Sequence, residues 1–172
     1  MRALPQTMED ALGGQRLNHP MFDDGQYARL WTAADGSCFF HSLASALHYR
    51  GYRDASHVEQ SRLGREFREK VTAEEHYSAF VATVDPALRN AVDENGQPLV
   101  PTLAQVQDPS FAAGDFCWRL ASRLLRLTIL VLEGPAKMYV TPDQEEKRYT
   151  AVALLGWINR CHFEPIVALD AD

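Results

Sequence analysis

Lysine is nearly missing from this chain: of 17 Lys+Arg, only Lys70, Lys137 and Lys147 are lysines, so arginine carries almost all the positive charge. Cysteine is sparse too. Cys38, Cys117 and Cys161 are odd in number and show no CxxC spacing, which excludes a disulfide framework and points to a reducing compartment. No apolar run is long enough to cross a bilayer, and residues 1–10 lack the apolar core of a signal peptide. No membrane partner is therefore expected. Basic excess is absent as well: the net charge of −6 argues against a nucleic-acid partner.

What is present is the composition of an ordinary soluble protein, 46% hydrophobic and 23% charged, and 172 residues are enough to bury one domain's core. Residues 1–28 hold little pattern beyond a short helix expected at 8–12, before Gly13-Gly14; they read as an N-terminal extension to a domain over 29–172. Leu30-Trp31-Thr32 reads as a short extended lead-in. Helical patterns follow. Phe39, Leu43, Ala46 and Leu47 share one face. Ser56 caps a helix with Val58, Leu63, Phe67 and Val71 on one side, and with Arg62, Arg65, Glu66, Arg68 and Glu69 on a solvated face. Further helices are expected at 74–84, at 87–92 after Asp85-Pro86, at 103–107 under a Thr102 cap, and from Gly114-Asp115 through Phe116, Leu120 and Leu124. The pattern then changes. The apolar run 128–132 reads as a central buried strand; 137–141 and 149–155 read as strands joined by a polar turn at 142–146; 162–169 alternates. The fold class is α+β, a helical first half packed on a small, mostly antiparallel sheet.

Chemistry concentrates in residues 33–47. Asp35-Gly36-Ser37 suits a tight turn and a helix N-cap, which puts Cys38 in the first turn of a helix. Unpaired N–H groups and the helix dipole favour a thiolate there, and the same N–H groups can receive a developing oxyanion. Cys38 fits a small buried hydrophobe as well. A nucleophile needs a base. His48, His57 and His76 fall on polar helix faces, and His19 lies in a loop beside proline. His41, three residues after Cys38, is placed for helix-side packing or a contact behind the thiol. Cys38 and His41 would be half of a metal site with no second pair, so neither metal nor cofactor is expected. His162 opens the last strand, and alternation returns Glu164 to the same face. A carboxylate there can accept a hydrogen bond from the ring and fix its tautomer, as in a Cys-His-acid triad. The same spacing also fits an exposed histidine and glutamate on an edge strand.

Together, Asp35-Gly36-Ser37-Cys38-Phe39-Phe40-His41-Ser42-Leu43 resembles the Asp-Gly-Asn-Cys-aromatic-aromatic-(Arg/His)-Ser-Leu signature of the ovarian-tumour (OTU) cysteine proteases. Cys161-His162-Phe163-Glu164-Pro165-Ile166-Val167 resembles that family's closing strand with its His-aromatic-acid motif. The helix at 114–126 leading into 128–132 resembles its helix–strand unit. The resemblance implies a papain-related fold with Cys38 as nucleophile, His162 as general base and acid, and Glu164 as orienting acid. It also implies the backbone N–H groups of Asp35 and Cys38 as oxyanion donors. Ser37 stands where the family usually has Asn, and Glu164 is one methylene longer than the usual Asp, so Asp35 or a water could help orient the ring. Phe163, Trp157 and Arg160 are placed by position to flank a substrate's extended tail.

The activity so implied is thiol-dependent hydrolysis of isopeptide bonds at the C-terminal glycine of ubiquitin or a ubiquitin-like modifier. The expected partner is ubiquitin, polyubiquitin or such a modifier, met by a monomer in the cytoplasm, including the cytosol of a host cell. Lysine scarcity fits work where lysines become ubiquitinated, as it also fits genomic base composition. Two rival readings use the same residues: a protease cleaving a polyprotein or other peptide, and a catalytically weak ubiquitin-binding module.

Overall fold

The computed structural model describes residues 15–16, 27–133, 137–141, 149 and 151–168. The helix expected at 8–12 and the turn expected at 142–146 lie outside them. Among the described residues six strands form one sheet: β1 (Gln15–Arg16), β2 (Tyr27–Arg29), β3 (Leu127–Glu133), β4 (Lys137–Thr141), β5 (Ala151–Ile158) and β6 (His162–Ala168). Their order is β1-β2-β6-β5-β3-β4, and every pairing is antiparallel except β3 with β5. The α+β class stands. One expectation changes: 137–141 and the strand after it are not neighbours, because β4 folds back on one edge of β3 while β5 runs parallel along the other. With neighbours on both sides, β3 is a central strand, as its unbroken apolar run requires. The extended lead-in is also placed earlier, at β2. Leu30 N–H still donates to the Pro165 carbonyl (3.0 Å) and Thr32 Oγ1 to that of Phe163 (2.6 Å), so the segment runs on along β6.

Five α-helices are described: α1 (Cys38–Ala46), α2 (His57–Val71), α3 (Glu74–Val81), α4 (Leu103–Gln107) and α5 (Asp115–Leu125). The side chain of Ser56 accepts from Glu59 N–H, and Thr102 with Gln105 completes a capping box, so both caps act where the sequence puts them. The helix expected at 87–92 is only a 3₁₀ turn, Pro86–Leu88. None of the described helices is long and apolar enough to cross a membrane.

The cysteine helix α1 is the centre of the core. Every residue from Cys38 to Ser45 is buried, because the sheet covers one side and α2 the other. Phe39 meets Phe163 edge-on at 5.5 Å and lies 6.3 Å from Trp118. Helix α2 approaches α1 at Gly64, where an added Cβ would stand 1.9 Å from the His41 ring. Leu63, Phe67 and Val71 face the core as expected, whereas Val58 is 83% exposed. Arg68, expected on the solvated face, is 1% exposed. The helical period explains the correction: position 68 is four after Gly64 and three before Val71, inside the buried stripe.

Candidate active site

Residues 35–37 form the turn that starts α1. Ser37 N–H donates to Asp35 Oδ1 (2.9 Å) and Cys38 N–H to the Asp35 carbonyl (3.0 Å). The amide of Cys38, expected as an oxyanion donor, is thus engaged by the turn in this state. Gly36 is pressed against a neighbouring loop so closely that a Cβ there would lie 1.7 Å from the Pro109 carbonyl oxygen. Arg68 secures the contact between the two loops. Its guanidinium donates to the carbonyls of Gly36 (2.9 Å), Val106 (2.9 Å) and Phe111 (2.9 Å) and to Ser37 Oγ (3.2 Å).

The Cys38 thiol is 7% exposed and faces the beginning of β6. Its Sγ donates to the Cys161 carbonyl at 3.9 Å, and the backbone N–H of Phe163 also acts on it, so these contacts bracket His162. Burial pushes the thiol up from its ordinary value, and the negative charge of Asp35 adds to this; the amides of Phe163, Phe39 and Cys38 itself pull the other way and lose. The thiolate expected at the helix N-terminus is therefore corrected. Desolvation outweighs the amides, and the resting thiol keeps its proton.

His162 and Glu164 share a face of β6, as alternation predicts. His162 Nε2 lies 3.7 Å from Glu164 Oε1, and Glu164 Oε2 lies 3.4 Å from Arg29 Nε on β2. These are ion-pair distances rather than tight hydrogen bonds. Among the described residues, the His162 ring pairs with Glu164 and the thiol with the Cys161 carbonyl, so the two groups are brought together through backbone. Asp35 takes another partner: its carboxylate oxygens lie 3.1 and 3.2 Å from His41 Nε2. Of the two candidate orienting acids, Glu164 stands beside His162 and Asp35 belongs to the cysteine loop.

The three residues expected to flank a substrate tail part company. Phe163 is 4% exposed, stacked on Trp157 (5.6 Å between centroids) and set edge-on to Phe39 and Trp118. Its expected substrate contact is corrected: alternation along β6 sends it into the core, where it supports α1. Trp157, its cross-strand partner, is half-buried and lines an open depression with Glu133, Ile158, Asn159 and Arg160. Arg160 sits in the three-residue turn before His162, at φ 57° after Asn159 at φ 50°, and its guanidinium pairs with Glu133. The Glu133 carboxyl is pulled down to about 2, chiefly by the Tyr139 hydroxyl and by Arg160. Strand β5 runs to Ile158, three residues past the end of the strand expected at 149–155, so only this turn separates it from β6.

The sequence reading missed two residues that shape the site, Arg68 and Tyr52. The signal for Arg68 was its helical phase. Tyr52, whose hydroxyl is 2.8 Å from His41 Nδ1, lies in the Tyr49–Asp54 3₁₀ turn and left no pattern to read. Cys117 is sealed in the core, where burial pushes it up to about 12. Among the described residues no group of three or more His, Cys, Asp or Glu is arranged to hold a metal.

No family model matches the chain, and no curated protein matches it in sequence. Solved structures do match it in shape. The OTU domain of OTUD1 superposes with a TM-score of 0.57 at 16% identity, over 82% of this chain and 85% of that one. The Hazara virus OTU bound to ubiquitin gives 0.55 at 18%, over 84% and 83%. An OTU deubiquitinase from Wolbachia pipientis wMel, bound to ubiquitin, gives 0.50 at 16%, over 83% and 96%. At such identities shape is what is shared, and with the cysteine helix under the His162 strand already placed, the chain folds as an ovarian-tumour (OTU) domain.

Proposed function

We propose that the protein is a deubiquitinase that hydrolyses isopeptide bonds at the C-terminal glycine of ubiquitin, acting as a monomer in a reducing cytosol. The observation that carries this reading is the Cys38 thiol lying against the backbone of Cys161 and Phe163, with His162 and Glu164 paired beside it. The ubiquitin-bound solved structures of the same fold support the choice of substrate.

The chemistry follows from the residues. The ring of His162, turned from Glu164 towards the thiol, takes its proton, and the thiolate attacks the glycine carbonyl carbon. A C–S bond forms while the carbonyl electron pair moves onto oxygen, held by the Asp35 N–H and by the Cys38 N–H once it leaves the Asp35 carbonyl. The tetrahedral adduct collapses by breaking the C–N bond, and His162 gives its proton to the departing lysine amine. Water, deprotonated by His162, then attacks the thioester and releases the carboxylate and the thiol. Trp157 and Arg160, at the rim of the depression beside the hairpin, flank the modifier's tail.

The test is a ubiquitin carrying an electrophile at its C-terminus, run beside a panel of differently linked di-ubiquitins and unrelated peptides, with Cys38→Ala as control. Labelling of Cys38 together with cleavage of di-ubiquitin supports the reading. Cleavage of peptides alone favours a peptide protease, and ubiquitin binding without labelling favours a binding module.

A further inference from the structure

His41 is fully buried, one turn along α1 from the nucleophile, and both its ring nitrogens are used. Nδ1 lies 2.8 Å from the Tyr52 hydroxyl, and Nε2 lies 3.1 and 3.2 Å from the two carboxylate oxygens of Asp35. Donor and acceptor rules leave one consistent assignment. A carboxylate only accepts, so Nε2 carries the hydrogen; in the neutral ring Nδ1 is then bare and accepts from the Tyr52 O–H. Burial favours both neutral forms: it pushes the Tyr52 hydroxyl up and, outweighing Asp35, pulls His41 down. The donation therefore runs one way, from Tyr52 to His41 to Asp35. It meets there the Ser37 N–H, which donates to Asp35 Oδ1 at 2.9 Å, one residue before Cys38. The ring fits because residue 64 on the facing helix has no side chain.

Resting on the reading of Cys38 as the nucleophile, we propose that Tyr52 and His41 are positioning residues, acting through Asp35 to hold the 35–38 turn in the conformation that presents the thiol. Asp35 needs holding. Its carboxylate is 34% exposed and its charge opposes the thiolate, so an Asp35 released from His41 is free both to deform the turn and to carry its charge elsewhere around the thiol. Neither Tyr52 nor His41 is required to touch the substrate. Their loss acts on the rate of the chemical step rather than on binding.

The experiment uses the full chain and three readouts: hydrolysis of a fluorogenic amide at the C-terminus of ubiquitin, alkylation of Cys38 by iodoacetamide, and ring ¹⁵N chemical shifts of His41. The wild type is expected to show the Nε2–H tautomer. Tyr52→Phe, which removes a single oxygen atom and leaves Nδ1 without its donor, is expected to keep the Nε2–H tautomer that Asp35 imposes, shift the Nδ1 resonance and lower kcat by about ten- to a hundred-fold, with KM within about twofold. His41→Gln, whose amide N–H can still reach Asp35, is expected to recover most of what His41→Leu loses. An Nδ1–H tautomer, a Tyr52→Phe kcat within about twofold of wild type, or equal losses in His41→Gln and His41→Leu overturns the proposal. If His41→Leu does not fold, Tyr52→Phe decides. A wild type inactive on ubiquitin, with Cys38 alkylation still altered in Tyr52→Phe, refutes the proposed function and leaves the positioning role standing.

Discussion

Truncating Arg68 to alanine gives a quantitative test of how the cysteine loop is held. Its guanidinium makes four hydrogen bonds, three of them to carbonyls at 2.9 Å, and lies 5.1 Å from the centre of the Phe40 ring. Hydrogen bonds from a charged donor contribute about 1.5–3 kcal/mol each, but removing a guanidinium from water costs several kcal/mol, so most of that sum cancels. Truncation leaves the carbonyls of Gly36, Val106 and Phe111 without this donor and opens a void along the side-chain stem. Each buried carbonyl left unpaired costs about 1–3 kcal/mol, and because the guanidinium's desolvation is no longer incurred the net loss is about 3–5 kcal/mol. For a chain of this length the midpoint of thermal unfolding should then fall by about 6–20 °C. Arg68→Lys keeps the charge but loses the planar fork that reaches three separate segments, and should cost about half as much. Urea and thermal unfolding of the full-length variants measure both. An Arg68→Ala variant within about 1 kcal/mol of wild type, or Arg68→Lys indistinguishable from it, refutes the reasoning.

Other consequences are as direct. Gly36→Ala places a Cβ 1.7 Å from the Pro109 oxygen, whereas Gly114→Ala meets nothing within 4 Å; the first should lose about 1–3 kcal/mol in urea unfolding and the second little, and equal effects would contradict the close approach. His162→Ala should lower hydrolysis of ubiquitin conjugates by about 10²–10⁴-fold, and Glu164→Ala, removing a partner at 3.7 Å, by about tenfold or less; equal losses would show Glu164 to be indispensable. Because burial favours the protonated thiol, alkylation of Cys38 by iodoacetamide should keep rising with pH beyond the ordinary cysteine value of 9.0, and a plateau near neutrality would refute the neutral resting state. Burial depresses His41 below 6.5, so just under that pH the unfolded chain binds more protons than the folded one and stability falls as pH falls; His41→Gln should lack this slope in denaturant titrations.

The features legible in the sequence are those fixed by neighbours a few residues apart. The Thr102–Gln105 capping box and the Ser56 cap depend on three-residue spacings, and the shared face of His162 and Glu164 on a two-residue one. That alternation also sends Phe163 inward, so its burial was readable from the pattern that paired the other two. Strand order was not readable, because the parallel pairing of β3 with β5 depends on which edges remain free once β4 has folded back. Arg68 was misplaced because a helix dense in charge looks solvated on every polar position. Only its phase relative to Gly64 and Val71 told otherwise. Tyr52 meets His41 across eleven positions, a contact that needs the approach of two helices and leaves no periodic trace.

The two halves of the site differ in how firmly they are held. The cysteine half is fixed before any substrate arrives: Arg68 grips Gly36 and Ser37, the backbone of Pro109 leaves no room beside Gly36, and His41 holds Asp35. The histidine half is anchored in its backbone, with Thr32 on the Phe163 carbonyl and Arg160 on Glu133, but among the described residues its ring pairs with Glu164 at 3.7 Å. On the proposed mechanism the His162 ring reaches the thiol by a side-chain rotation, and such a rotation is fast compared with catalytic turnover. It follows that substitutions in the cysteine loop and its supports change stability and kcat together, because the same bonds carry both. Substitutions at Glu164 or Arg29 change the distribution of ring orientations and so act on rate, leaving the unfolding midpoint nearly where it was.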